Sequence, residues 1–372
     1  VRDADFNAYT TSKGIIFVNM GLLSQLATEA QLAYVLAHEV VHYANNHVRE
    51  NYDFKKTVSK SGDEYGYDVD RMAKAYYDFS KENELEADKE GYETYFAHTG
   101  YSKLAPFELM DIMLYSYLPF DEIEFDVNIF NTSTYGLASV ELREFAAKEI
   151  SAREDVSDSM STHPNIKART EAIEDFLALK KEGSDFLVSE ERFNALREQA
   201  RFESLDDFLT SARYDRAIYQ AFLLLQTYPN DDYLKRAIVY AVYGSSVYKN
   251  YNSLPPNIEN MEGVEGELSR VRYILKNIDE ESLNTLAVAM SHEFYSKHPD
   301  DKLAKRIYED AVWELTHYHE KQLSFYDVMP ELAQTDTAAV VEEEIELNTT
   351  GKVKRLKKKQ IDSSIMQTKY AF

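Results

Sequence analysis

The most constraining feature of the sequence is a pair of histidines four residues apart within a strongly helical segment. Thr28 begins a capping box, and the apolar residues after it recur at helical spacing, so we predict a helix over Glu29–Arg49. His38 and His42 then lie on one face of this helix, where both imidazoles can reach a single metal ion. Glu39, next to the first histidine, can address a metal-bound water from the side.

A hydrolytic zinc site needs a third protein ligand and one open position. Glu84 and Asp88 are four residues apart on a second predicted helix, so one can bind the metal while the other accepts a hydrogen bond from a ligand histidine. His47 is five residues past His42 and lies about 140° around a continuous helix, so we assign it to packing or to the surface.

Composition excludes several classes of protein. The chain has 41 Lys and Arg against 65 Asp and Glu, and its net charge of −24 would repel nucleic acid. It has no cysteine, which excludes disulfides, thiolate metal sites and cysteine nucleophiles. No apolar run approaches the roughly 20 residues of a membrane-spanning helix. Because the chain begins at Val1 without a leader, we expect its N-terminal part to have been trimmed.

The remaining pattern predicts an α+β protein that is predominantly helical. The short β-branched segment Gly14–Asn19 predicts a strand, and helical periodicity dominates elsewhere. Residues 213–231 are similar to one helical hairpin of a tetratricopeptide repeat, although an ordinary helical bundle fits equally well. Further helices are predicted over Asp68–Thr99, Phe107–Tyr117, Val140–Ala152 and Lys167–Lys180.

Three ordered motifs carry a resemblance to a known family. They are His38–His42, the segment Ser80–Asp88, and His163-Pro164 followed by Arg169. Together they resemble the gluzincin metallopeptidases, the group of HtpX, the CAAX prenyl proteases and the BepA (YfgC) type. The resemblance extends over about residues 3–178, and the lack of an apolar membrane-spanning run places the chain with the soluble branch.

The resemblance implies a role for each matching residue. It implies one zinc ion per chain, with a general base at Glu39 for peptide-bond hydrolysis. The implied zinc ligands are His38, His42 and Glu84. Asp88 is implied to support a ligand from the second shell, and Arg169 to tie down the loop of His163. His163 matches the family's later histidine, which can stabilise the oxyanion or occupy the open metal position of a latent enzyme.

The implied function is a zinc endopeptidase that hydrolyses extended or unfolded proteins. The predicted strand would offer a free edge whose backbone hydrogen bonds hold a peptide largely regardless of its sequence. The residues assigned to this edge are Ile15, Ile16, Phe17, Val18 and Asn19. Two other functions fit the sequence: a latent or degenerate peptidase that acts as a chaperone or scaffold, and a metal-dependent hydrolase of small molecules.

The resemblance and a change of texture near Ser189 divide the chain into three parts. They are a zincin-like metallopeptidase domain with a small edge-exposed sheet over 1–185, an all-α tetratricopeptide-like domain over 186–335, and a charged tail or further segment over 336–372. The helical domain is a candidate surface for a partner protein. The soluble branch of the family implies a periplasmic or cell-envelope location and a role in protein quality control.

Overall fold

The computed structural model describes residues 1–53, 56, 69–151, 165–174, 183–256, 258 and 260–318. Within them the chain is mostly helical and has one small antiparallel sheet, which confirms the prediction of a predominantly helical α+β protein. The zincin-like and tetratricopeptide-like details stay predictions. His163 and the tail over 336–372 lie outside the described residues.

The named elements follow the chain order. In chain order they are β1 (Ala8–Thr10), β2 (Ile16–Val18), α1 (Met20–Gln25), α2 (Glu29–Ala44), α3 (Val69–Glu90), α4 (Ala105–Leu114), α5 (Val140–Glu144), α6 (Ile166–Ile173), α7 (Glu190–Thr210), α8 (Tyr214–Thr227), α9 (Asp232–Asn250), α10 (Leu268–Asn277), α11 (Glu280–Lys297) and α12 (Lys302–Tyr318). A π-helical segment, Gly91–Tyr95, follows α3 directly, and short 3-10 helices span Phe96–His98 and Val127–Phe130.

The described residues form two compact units. The first consists of residues 1–123, 148–207 and 264–266, and the second contains the other described residues. The predicted division at residue 185 stays a prediction.

The sheet is a hairpin in which β1 pairs with β2. Its register places Tyr9 opposite Phe17, and their rings stack with centroids 5.2 Å apart. Gly14 lies in the connecting turn with a φ of 75°, a conformation that glycine adopts without steric cost. The predicted strand over Gly14–Asn19 is therefore present in its central part, as β2. Its partner β1 is seen only in the structure.

The capping box at the start of α2 is confirmed. The Thr28 hydroxyl accepts from the backbone N–H of Gln31 at 3.2 Å, and the Gln31 side chain accepts from the backbone N–H of Thr28 at 3.2 Å. Glu29, in the first turn, also accepts the backbone N–H groups of residues 187–189, each at 2.8 Å. These contacts fix α2 at its N-terminus and attach it to the segment before α7.

The apolar face of α2 is packed in the core of the first unit. Tyr34 and Ala30 are fully buried there, next to residues of α4, α6 and the segment after α3. The main buried partners are Leu26, Phe96, Ala105, Leu109, Met110 and Ile173. Burial of an aliphatic or aromatic side chain of this kind stabilises the folded state by about 1.5–3 kcal/mol. This packing fixes the position of α2 in the first unit.

Two predicted helices are shorter than expected. The helix predicted over Glu29–Arg49 ends at Ala44, because Asn46 has a left-handed conformation with a φ of 58°. Residues 47–53 then form a separate helical segment. The helix predicted over Val140–Ala152 ends at Glu144, since Phe145 has an extended ψ of 121° and stacks on Tyr273 at 3.7 Å.

The second unit is helical, with two buried polar groups between its helices. Arg272 pairs with the fully buried Asp215 at 2.7 Å. Asn250 donates to Glu314 at 3.0 Å and exchanges hydrogen bonds with Asn284. Within residues 213–231, which resemble a helical hairpin, the structure has the single helix α8, and α9 begins at Asp232 after Pro229.

Candidate metal centre

Three predicted ligands from two helices come together in the first unit. His38 and His42 lie on α2, and Glu84 lies on α3. The two Nε2 atoms are 3.0 Å apart, and the Glu84 carboxylate oxygens lie 3.3 Å from the Nε2 of His42 and 3.6 Å from that of His38. A tetrahedral zinc ion with bonds of 2.0–2.1 Å would separate its ligand atoms by about 3.3 Å. The three donors can therefore hold one metal ion.

The chemistry of this donor set also suits zinc. Two imidazole nitrogens and one carboxylate form the set found in several zinc hydrolases, which keep the fourth position for water or substrate. All three side chains are buried, so few solvent molecules compete for the ion.

Glu39 is a buried carboxyl group at the same face of α2, with 6% of its surface exposed. Burial raises its pKa, while the nearby His38 and His42 act in the opposite direction, and the net pKa is above the ordinary value. The backbone N–H of Thr10 donates to this carboxylate. The strand β1 therefore contacts the candidate general base.

The pairing of the hairpin shows which backbone groups of β1 are directed at α2. Hydrogen bonds from the N–H of Thr11 to the carbonyl of Ile15, and from Asn19 to Asn7, bracket the paired residues. Since hydrogen-bonded and non-hydrogen-bonded pairs alternate, the N–H and carbonyl groups of Ala8 and Thr10 point away from β2. Among the described residues the sheet has two strands, so this outer edge of β1 has no third strand.

A buried ion pair lies behind the ligand His38. Asp88 is fully buried and lies 3.0 Å from the Nδ1 of His38. Arg169 donates to both oxygens of Asp88, from Nε and from Nη2, at 2.7 Å each. Burial by itself would raise the pKa of Asp88, but the charge and hydrogen bonds of Arg169 outweigh it and lower the pKa to about 2. The carboxylate thus stays ionised and holds His38 with its Nε2 toward the other ligands.

Arg169 therefore has a partner that the sequence did not indicate. It was expected to fix the loop of His163, whereas the structure pairs it with Asp88, and His163 lies outside the described residues. Tyr34 was also missed: its hydroxyl donates to the carbonyl of Asp88 at 3.1 Å. Its position on the same helix as His38, one turn earlier, was the only sequence signal for this contact.

His47, assigned to packing or to the surface, is buried beside the candidate ligand His42. Its Nδ1 lies 3.1 Å from the Nδ1 of His42, and its Nε2 lies 3.5 Å from a carboxylate oxygen of Glu86. Only 2% of His47 is exposed. Because α2 ends before this residue, the angle of a continuous helix does not apply.

Gly91 is a further residue that the sequence analysis missed. A Cβ atom at this position would lie 3.1 Å from both the Cα and the backbone nitrogen of His38. Only glycine allows the chain to approach α2 this closely without displacing it. The π-helical segment begins at the same residue, and such segments are frequent at functional sites.

The comparisons with known proteins address the first part of this site. A family model for peptidase family M48 matches residues 1–62. This match supports the M48 metallopeptidase family. It includes both candidate ligand histidines and Glu39, whereas Glu84, Asp88 and Arg169 follow the matched segment. No curated protein and no solved structure matches the chain. In the part of the chain that the structure describes, every helix is too short or too polar to cross a membrane.

Proposed function

We propose that the protein is a zinc-dependent endopeptidase that cleaves extended or unfolded protein segments. The observation that carries this proposal is the arrangement of His38, His42 and Glu84, whose donor atoms lie at the spacing of tetrahedral zinc ligands. The buried carboxyl group of Glu39 beside them supplies a base, and the match to peptidase family M48 supports peptide-bond hydrolysis.

His38, His42 and Glu84 would hold the zinc ion. A bound zinc ion polarises a peptide carbonyl and makes water acidic enough to attack it near neutral pH. Glu39 accepts the proton of the attacking water and later donates it to the leaving amine. Its raised pKa favours the first step, because a carboxylate with a higher pKa is a stronger base toward the attacking water. The N–H of Thr10 orients the carboxylate for both transfers.

The substrate would bind as an extended strand along the outer edge of β1. The N–H and carbonyl groups of Ala8 and the carbonyl of Thr10 point away from β2 and can pair with a peptide. The N–H of Thr10 contacts Glu39, so a peptide on this edge would pass the candidate base. The contact of Thr10 with Glu39 supports the edge of β1, whereas three of the predicted residues 15–19 form the neighbouring strand β2. Backbone pairing of this kind favours unfolded segments over folded proteins.

His163 keeps its two alternative roles in this proposal. If it stabilises the oxyanion, His163→Ala lowers peptide cleavage, and if it closes the metal position of a latent enzyme, the same change raises it. By resemblance to the HtpX and BepA type we also propose a function in protein quality control at the cell envelope, with the helical second half as the surface for substrates or a partner protein.

The proposal is tested by zinc content and casein cleavage. We expect one zinc ion per chain and cleavage that phenanthroline abolishes and added zinc restores. Glu39→Gln should bind zinc with unchanged stoichiometry and lose cleavage, whereas Glu93→Gln, which removes an exposed carboxylate of the same unit, should cleave at the wild-type rate. A wild-type protein that binds zinc but cleaves no unfolded substrate would favour the scaffold function, and one that binds no zinc would refute the proposal.

A further inference from the structure

We propose that His47 is a positioning residue for the ligand His42, and that it acts through a relay made of one hydrogen bond to that ring and an electrostatic contact with Glu86. The inference rests on the zinc site of the proposed function and deepens it. The observation behind it is the 3.1 Å separation between the Nδ1 atoms of His42 and His47, combined with the 3.5 Å separation between the Nε2 of His47 and the Glu86 carboxylate.

The direction of the hydrogen bond between the two rings follows from the ligand geometry. The Nε2 of His42 faces the other donors, at 3.0 Å from His38 and 3.3 Å from Glu84, so this nitrogen binds the metal. A neutral imidazole that binds a metal through Nε2 carries its proton on Nδ1. The Nδ1 of His42 therefore donates, and the Nδ1 of His47 accepts with its lone pair. The proton of His47 then lies on Nε2, which faces Glu86.

The backbone is built to bring His47 to this place. On a continuous helix it would lie about 140° from His42. Instead, α2 ends at Ala44, and Asn46 has a left-handed conformation with a φ of 58°. This turn of the chain brings His47 back to the side of His42. Asparagine is among the few residues that adopt this conformation readily. The result is a histidine with only 2% of its surface exposed, in contact with a ligand ring.

The far end of the relay is also held. The side-chain amide of Asn45 donates to Glu86 and to Glu90, at 2.8 Å each, and both acceptors lie on α3. The connection thus joins the end of α2 to the helix that carries the third ligand. Asn45 keeps the Glu86 carboxylate beside His47, although the side chain of Glu86 is about half-exposed.

The two ligand histidines have different acceptors, and this suits the charge of the site. His38 donates to the carboxylate of Asp88, whose charge is balanced by Arg169. A second buried carboxylate behind His42 would be unbalanced and costly to bury. A neutral imidazole in the same place fixes the tautomer of His42 without adding charge. The proposal therefore assigns equivalent positioning roles to Asp88 and His47.

The test compares two substitutions of nearly equal shape. His47→Asn keeps an acceptor oxygen near the position of Nδ1, whereas His47→Leu has the same branched shape and no acceptor. Zinc affinity is measured by competition with a chromophoric chelator, and the thermal unfolding of each metal-free variant is recorded beside it. The relay predicts that His47→Leu binds zinc 10–100-fold more weakly and that His47→Asn restores most of the affinity. His98→Leu, at an exposed histidine of the same unit, should bind zinc like the wild type.

A purely structural role would give a different result. It would lower the unfolding temperature of the metal-free His47→Leu protein. The zinc affinities of His47→Leu and His47→Asn would both equal that of the wild type. That outcome overturns the relay while the proposed function stands, whereas a wild-type protein without zinc affinity refutes the proposed function itself. If neither His47 variant folds, Glu86→Ala decides: the relay predicts weaker zinc binding, and an unchanged affinity contradicts it.

Discussion

The buried pair of Asp88 and Arg169 allows a prediction with a definite magnitude. Arg169→Met removes the guanidinium and leaves an ionised carboxylate in a site where Asp88 has no exposed surface. Two hydrogen bonds of 2.7 Å are lost, and breaking a buried ion pair in this way costs about 3–5 kcal/mol of unfolding free energy. For a unit of this size, that corresponds to a fall in melting temperature on the order of 10 °C.

The assay is thermal and urea unfolding of the metal-free protein, followed by circular dichroism. Lys167→Met is the matched control, since it removes an exposed positive charge from the same helix and should change stability by less than about 0.5 kcal/mol. Asp88→Asn combined with Arg169→Met removes both charges, so the double variant should lose less than the sum of the two single losses. A loss below about 1 kcal/mol for Arg169→Met, or strictly additive losses, would refute the reasoning.

Four further predictions concern the metal site. Burial by itself lowers the pKa of His38, but hydrogen bonds with Asp88 and Glu84 raise it to about 9. Zinc must therefore displace a proton from His38. The measured zinc affinity of the protein should rise about tenfold per pH unit up to pH 9 and then level off. The same shift stabilises the metal-free protein fully below pH 6.5, and pH titration of its unfolding should show this contribution disappearing as the pH rises through 9. Gly91→Ala should cost about 1–3 kcal/mol and weaken zinc binding, because the new Cβ meets the backbone of His38 at 3.1 Å, whereas Gly100→Ala, which meets only a flexible leucine side chain, should cost less. Removal of zinc with a chelator should lower the melting temperature but leave the helical circular dichroism unchanged, and a large loss of helix would contradict a preformed site.

The parts of the site that the sequence predicts correctly depend on neighbours within one helix. The capping box and the one-faced pair of histidines follow from spacings of three and four residues, which the geometry of a helix fixes. The strand β2 was predicted from its β-branched residues between glycines, and only its bounds differ. These features need no information about distant parts of the chain.

Helical periodicity alone does not give the position of His47, because one backbone angle decides it. The apolar pattern continues past Ala44, so periodicity alone favours an uninterrupted helix. The sequence did contain a signal in the pair Asn45-Asn46, since asparagine ends helices in the left-handed conformation when glycine is absent. A helix break at this pair would have placed His47 near His42 from the start.

The contact between Asp88 and Arg169 could not be predicted from neighbouring residues, and the reason is different. Arg169 is 81 residues from Asp88 along the chain, and many other carboxylates of this acidic protein were possible partners. What selects the pair is burial: a guanidinium in the core needs an ionised partner there, and Asp88 is the buried carboxylate that also accepts from His38.

The arrangement around the ligands argues that the site is shaped by the protein before any metal binds. Each ligand histidine has its second nitrogen fixed, one by Asp88 and the other by His47, and the close contact at Gly91 sets the distance between α2 and the chain that follows Asp88. The donor atoms of His38, His42 and Glu84 lie at zinc spacing. Binding of the ion then needs little ordering of side chains, so most of its interaction energy is available as affinity and as stabilisation of the folded unit.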